Sequence, residues 1–62
     1  MIDKDKIITL DKKIMCLRKI AEDILENGRD IEAVRMNTKR ILASIRMLEI
    51  NVSDALLCME KR

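Results

Sequence analysis

Hydrophobic residues in the second half of the chain recur at alternating steps of three and four positions. The series is Ile31, Val34, Thr38, Ile41, Ile45, Leu48, Val52, Ala55 and Met59. A matching series in the first half is Ile7, Leu10, Ile14, Leu17, Ala21 and Ile24. Such steps place residues on one stripe of an α-helix, the side that a coiled coil buries, and we call the two stripes the seam. The pattern predicts two amphipathic helices and an all-α fold.

A short break between the two series predicts a tight turn. Gly28 is expected to end the first helix in the left-handed conformation that glycine adopts at little cost. Asp30 is expected to cap the second helix by accepting hydrogen bonds from its first free N–H groups. The predicted bounds are 4–27 for helix one, 27–30 for the turn and 30–61 for helix two, in one domain over 1–62. The start of helix one stays open, because residues 7–10 could form an extended arm with Thr9 capping a later helix.

The positions of the seam residues predict that the two helices fold back on each other. In an antiparallel pair, the numbers of facing residues add to a constant. If Ile24 faces Val34, every other seam residue of helix one meets a seam residue of helix two at a sum of 58 or 59. A turn of arbitrary length would break this phase, so the sequence predicts an antiparallel helical hairpin.

The hairpin alone is expected to leave too much apolar surface uncovered. Helix two also carries a row of small polar residues and a second apolar row, which together with the seam are interpreted as one broad uncharged arc. One partner helix cannot cover such an arc, so two hairpins are predicted to form a homodimeric four-helix bundle. The predicted oligomer-interface residues are Met36, Asn37, Ala43, Ser44, Ile50, Asn51, Leu56, Leu57 and Met59.

The composition supports association over other sources of stability. A chain of 62 residues buries only about 60% of its unfolded surface, so it needs a disulfide, a metal or a partner. It has two cysteines, no histidine and no aromatic residue, which disfavours the first two routes. The longest apolar run, 55–59, is far shorter than the ~20 residues of a membrane span. A cytoplasmic location with reduced thiols and without membrane contact is therefore expected.

No set of residues in the chain points to catalysis, a metal or a cofactor. Cys16 and Cys58 lie too far apart in the predicted hairpin for a disulfide, and we expect two buried or half-buried small apolar side chains. A contact between the Cys58 residues of two chains stays open. The carboxylates around the turn lack the histidine partners of di-metal bundles. We therefore predict that the protein is not an enzyme and binds no cofactor.

Two binding functions remain. The favoured prediction is a small protein-interaction or regulatory module whose partner is a second copy of itself or another protein. The alternative is electrostatic binding of RNA or DNA through phosphates, because the absence of aromatic residues leaves no side chain on which bases could stack. The net charge of +2 is too small to indicate a nucleic-acid partner by itself. The candidate nucleic-acid contacts are Arg18, Arg35, Lys39 and Arg46.

Overall fold

The protein is an antiparallel helical hairpin. The computed structural model describes the backbone of residues 3–60 and the side chains of residues 3–58, so the side chain of the predicted interface residue Met59 lies outside the described part. Helix α1 spans Lys4–Asn27 and helix α2 spans Glu32–Glu60. The two helices pack side by side in a rod of 48 × 15 × 14 Å. The all-α hairpin predicted from the sequence is confirmed.

Helix α1 begins at Lys4 because Asp3 supplies a cap. The Asp3 backbone is extended, and its carboxylate accepts a 2.8 Å hydrogen bond from the Lys6 amide, one of the N–H groups that a helix start leaves free. Thr9 lies inside this helix, where its hydroxyl donates to the Asp5 carbonyl at 2.9 Å. The alternative of an extended arm capped by Thr9 is therefore wrong.

Gly28 ends α1, but for a different reason from the one predicted. Its φ is −103° rather than positive, and its amide donates to the Ile24 carbonyl at 2.8 Å. A Cβ at this position would lie 2.5 Å from Val34 Cγ1 and 3.1 Å from the Ile24 carbonyl oxygen. The expected left-handed conformation is thus wrong: glycine is favoured because the Val34 side chain of α2 packs directly against it.

The start of α2 also differs from the prediction. The helix begins at Glu32, and the Ile31 carbonyl accepts its first backbone hydrogen bond, from Arg35 at 2.9 Å. Ile31 rather than Asp30 therefore occupies the capping position. The Ile31 amide donates in turn to the Gly28 carbonyl at 3.0 Å, which closes the turn with backbone groups.

The buried core is a single line of residues along each helix. It consists of Ile7, Ile14, Ala21, Thr38 and Ile45, all at most 8% exposed. Ile45 forms one cluster with both Ile14 and Ala21, so it lies between them rather than opposite one of them. The contact between Gly28 and Val34 supports the same register, because these two residue numbers add to 62, whereas the predicted facing pairs add to 58 or 59. The two lines therefore interdigitate, about half a heptad away from the predicted facing layers.

Candidate interaction surface

Five seam residues of helices α1 and α2 remain open to solvent. Each open residue lies three positions after a residue of the buried line, and its side chain is 43–48% exposed. These residues, which we call the open seam, are Leu10, Leu17, Ile24, Ile41 and Leu48. The sequence predicted them to be buried between α1 and α2, and the structure corrects that prediction. Two helices that interdigitate through one line each cannot also cover the neighbouring line.

The open seam is one continuous surface. Three steps along an α-helix rotate a side chain by about 300°, so each open residue lies about 60° to one side of the buried line. Because α1 and α2 run in opposite directions, this rotation turns both rows toward the same side of the hairpin. Exposed Asn37, Ser44 and Asn51 border the row on α2, whereas Lys13 and Ile20 border it on α1.

The chain exposes more surface than a compact monomer of its size. Its accessible surface is 5248 Å², whereas a globular monomer of 7.2 kDa exposes roughly 4,100 Å² by the scaling of surface with mass. The excess, roughly 1,100 Å², is larger than the ~800 Å² that each partner buries in a protein–protein interface of standard size. The hairpin therefore has enough uncovered surface for a stable interface.

The opposite side of the hairpin is covered by its own side chains. Half-buried residues lie there four positions after Ile14, Ala21, Thr38, Ile45 and the partly buried Val52, and we call them the closed flank: Arg18, Leu25, Leu42, Glu49 and Leu56. An ion pair joins the two helices across it. Arg18 Nε donates to Glu49 Oε2 at 2.8 Å and Arg18 Nη2 donates to Glu49 Oε1 at 2.6 Å, a bidentate geometry that holds both side chains in place.

Each partner of this ion pair holds the other in its charged form. The hydrogen bond from Arg18 lowers the pKa of the Glu49 carboxyl; partial desolvation opposes the shift, and the charges of Arg18 and Arg46 reinforce it. The hydrogen bond to Glu49 raises the pKa of the Arg18 guanidinium. The closed flank therefore combines half-buried leucines with an internally satisfied ion pair, whereas the residues of the open seam are all aliphatic and 43–48% exposed.

The predicted interface residues do not share one surface. Asn37, Ser44 and Asn51 border the open seam, and Leu56 belongs to the closed flank. The second apolar row lies about 120–180° around the helix from the buried line and so faces away from α1. It consists of Met36, Ala43, Ile50 and Leu57, all exposed. The interpretation of one uncharged arc is therefore wrong, because Arg40 separates this row from the small polar residues.

Most of the candidate nucleic-acid contacts are already paired with carboxylates. Arg18 contacts Glu49 and Glu22, and Arg46 lies 3.7 Å from the same Glu49 carboxylate. Arg35 lies 3.7 Å from Glu32, and no ion pair of Lys39 occurs among the described side chains. The structure thus brings Arg18 and Arg46 together, but around an acidic group that a phosphate would first have to displace.

Both cysteines point outward. Cys16 and Cys58 are free and exposed, so the prediction of buried or half-buried side chains is wrong. Residues 3–58 bring together no set of three or more histidine, cysteine, aspartate or glutamate side chains suited to a metal ion. A shallow groove lies on α2 beside the closed flank. Its walls are Arg46, Glu49, Ile50, Ser53 and Asp54, and the first two of these already pair with each other.

Comparison with protein-family models, with curated proteins and with solved structures finds no match to this chain. The helices themselves give one further result. Within the described residues, neither α1 nor α2 contains an apolar stretch long enough to cross a bilayer.

Proposed function

We propose that the protein is a self-associating interaction module without catalytic activity, in which two hairpins join through their open seams into a four-helix bundle. In such a bundle, each helix contributes two lines of apolar residues to a common core. The hairpin buries one line of each helix and leaves the other half-covered. A second hairpin placed on the open seam would complete the core.

The observation that carries this proposal is the continuity of the open seam. Its five residues are leucine or isoleucine, are 43–48% exposed, and face one side of the rod. Full burial of such a side chain contributes about 1.5–3 kcal/mol. The interface proposed here keeps Asn37, Ser44 and Asn51 from the sequence prediction as its border. It leaves Met36, Ala43, Ile50 and Leu57 on the outside of the bundle.

A matched pair of substitutions on α2 tests this interface. Leu48→Glu introduces a charge into the open seam, and Met36→Glu introduces the same charge on the outer row. The two side chains are 43% and 49% exposed in the hairpin. Each dimer of the Leu48 variant loses two buried leucines, so its dissociation constant should rise by about 100-fold or more. The Met36 variant should associate like the wild type.

Sedimentation velocity over a dilution series measures both variants, and circular dichroism reports their helical content. Dissociation of the Leu48→Glu variant alone supports the proposal. Dissociation of the Met36→Glu variant alone would place the interface on the outer row. Equal behaviour of both variants would contradict an interface centred on the open seam.

A further inference from the structure

We infer that the second copy docks on the open seam with its turn at the opposite end of the bundle. The two-fold axis then lies at right angles to the helices and passes the level of Leu17 and Ser44. This inference rests on the proposed dimer and adds its orientation. A two-fold axis at right angles to the helices requires each exposed row to be symmetric about its own midpoint, and the charge of the turn end favours this axis over one parallel to the helices.

Each row of the open seam is symmetric about its own midpoint. On α1, Leu10 and Ile24 lie seven residues before and after Leu17. A two-fold axis at Leu17 therefore places Leu10 of one copy next to Ile24 of the other. On α2, Ile41 and Leu48 are symmetric about the midpoint of residues 44 and 45. The same axis therefore sets Ile41 next to Leu48 of the other copy.

The two midpoints also lie at the same height along the hairpin. Leu17 is midway between Ile14 and Ala21, the two α1 residues that cluster with Ile45. The contact between Val34 and Gly28 gives the same register. Residues at the same height in an antiparallel pair have numbers that add to a constant, and 28 plus 34 equals 17 plus 45. A single two-fold axis can therefore relate both rows to their copies in the second hairpin. A different offset between α1 and α2 would prevent this.

The border of the open seam on α2 repeats this symmetry. Asn37 and Asn51 lie seven residues on either side of Ser44, and all three are exposed. In the inferred dimer, the two α2 helices run antiparallel beside each other along this border. Ser44 then lies next to its own copy, where its small side chain allows a close approach, and Asn37 lies level with Asn51 of the other copy.

The distribution of charge favours the same orientation. Residues 22–32 at the turn end contain five carboxylates and one arginine, a net charge of −4. Turns at the same end would bring two such clusters together. Turns at opposite ends place Lys6, on the border side of α1, level with residue 28 of the other copy. Residues 3–6 contain two carboxylates and two lysines, so turns at opposite ends avoid the repulsion between two acidic clusters, which favours this docking over its reverse.

Disulfide trapping distinguishes the two orientations. The background carries Cys16→Ser and Cys58→Ser, which remove two exposed thiols. Ser44→Cys alone should form a disulfide-linked dimer under mild oxidation. Asn37→Cys alone and Asn51→Cys alone should not, because each lies about 20 Å along the axis from its own copy. A mixture of the Asn37→Cys and Asn51→Cys proteins should link one chain of each kind.

A spin label at Arg29→Cys in the same background supplies an independent distance across the dimer. Position 29 lies level with position 5 of the other copy in the inferred orientation, so the two labels should be separated by roughly 35 Å. Turns at the same end would bring them to within about 20 Å.

Cross-linking of the Ser44→Cys variant and of the mixed pair, together with the long label distance, supports the inference. A dimer with the short distance, or one that links Ser44→Cys to Ile20→Cys on α1 instead of to itself, overturns the orientation and leaves the proposed dimer standing. A protein that sediments as a monomer overturns both.

Discussion

The closed flank and the open seam lie on opposite sides of the hairpin. Around each helix, the closed flank lies about 40° from the buried line in one direction, and the open seam lies about 60° from it in the other. On the closed flank, Arg18 and Glu49 reach across the groove and join α1 to α2 with two hydrogen bonds. On the open seam, Leu17 and Leu48 are 43% exposed, and aliphatic side chains have no polar groups with which to bridge the helices. The difference shows that two long charged side chains can cover the groove between the helices on one side, whereas the exposed aliphatic residues on the other side need another apolar surface.

This contrast is the reason why we propose that the hairpin, although a complete fold, is also half of a larger assembly. The residues that hold α1 against α2 are Ile7, Ile14, Ala21, Thr38 and Ile45. These five residues form a small core, and a chain of this length gains little stability from its own core. The open seam holds the apolar area that could supply the missing stabilisation.

The largest loss of stability is expected from a charge placed in the buried line, which borders both the closed flank and the open seam. Ile45 is 2% exposed and belongs to the core cluster, so Ile45→Asp buries a charge without a partner. We expect a loss of more than about 4 kcal/mol, which unfolds the protein and abolishes association. Circular dichroism during urea titration measures the loss.

Met47→Asp is the matched control for this change. It places the same charge on the same helix at a side chain that is 58% exposed, so its effect should stay within about 0.5 kcal/mol. Lys39→Ala, also on the surface of α2, should be equally mild. Similar losses for Ile45→Asp and Met47→Asp would contradict the assignment of the buried line.

A smaller loss of stability is expected from removing the Arg18–Glu49 ion pair on the closed flank. The pKa of Glu49 is lowered in the folded protein, so its ionised form stabilises the fold above the unfolded-state pKa of about 4.3. That contribution is lost as the pH falls through the lower, folded-state pKa. Glu49→Gln removes both the contribution and this part of the acid dependence. Chemical denaturation of the variant and the wild type at several pH values should therefore show a stability difference that shrinks in acid.

Glu26→Gln provides the control for the acid dependence. Glu26 pairs with Arg29 within one turn of the chain, and both side chains are about two-thirds exposed, so this ion pair does not join the two helices. Its removal should change stability less than Glu49→Gln does at neutral pH. A larger effect for Glu26→Gln would show that the Arg18–Glu49 pair does not close the flank.

Sequence periodicity could predict the fold but not which seam residues are buried between the helices and which stay exposed. The steps of three and four and the break at Gly28 are local signals, and they lead directly to α1, α2 and their antiparallel packing. Whether Ile45 lies opposite Ile14 or between Ile14 and Ala21 depends on how closely the helices approach. That approach is set by contacts such as Val34 on Gly28, which no periodic pattern encodes.

The interface proposed from the structure differs from the one predicted from the sequence for a related reason. Periodicity does not distinguish one apolar seam residue from another, so the sequence predicts that Leu17 and Leu48 lie in the hairpin core and that the remaining rows form the interface. The structure corrects the burial of Leu17 and Leu48, because the fully covered seam residues in the described part of the chain are Ile7, Ile14, Ala21, Thr38 and Ile45. The signal that could have found the open seam was present: in a four-helix bundle, both lines of a heptad face the centre, and a single hairpin can bury only one.

Sedimentation equilibrium of the wild-type chain at several concentrations tests the central claim most directly, that a second copy covers the open seam. The account predicts a mass near twice the chain's 7.2 kDa at micromolar concentration, with dissociation only on further dilution. A mass that stays at 7.2 kDa at every concentration, with full helical content, would contradict it.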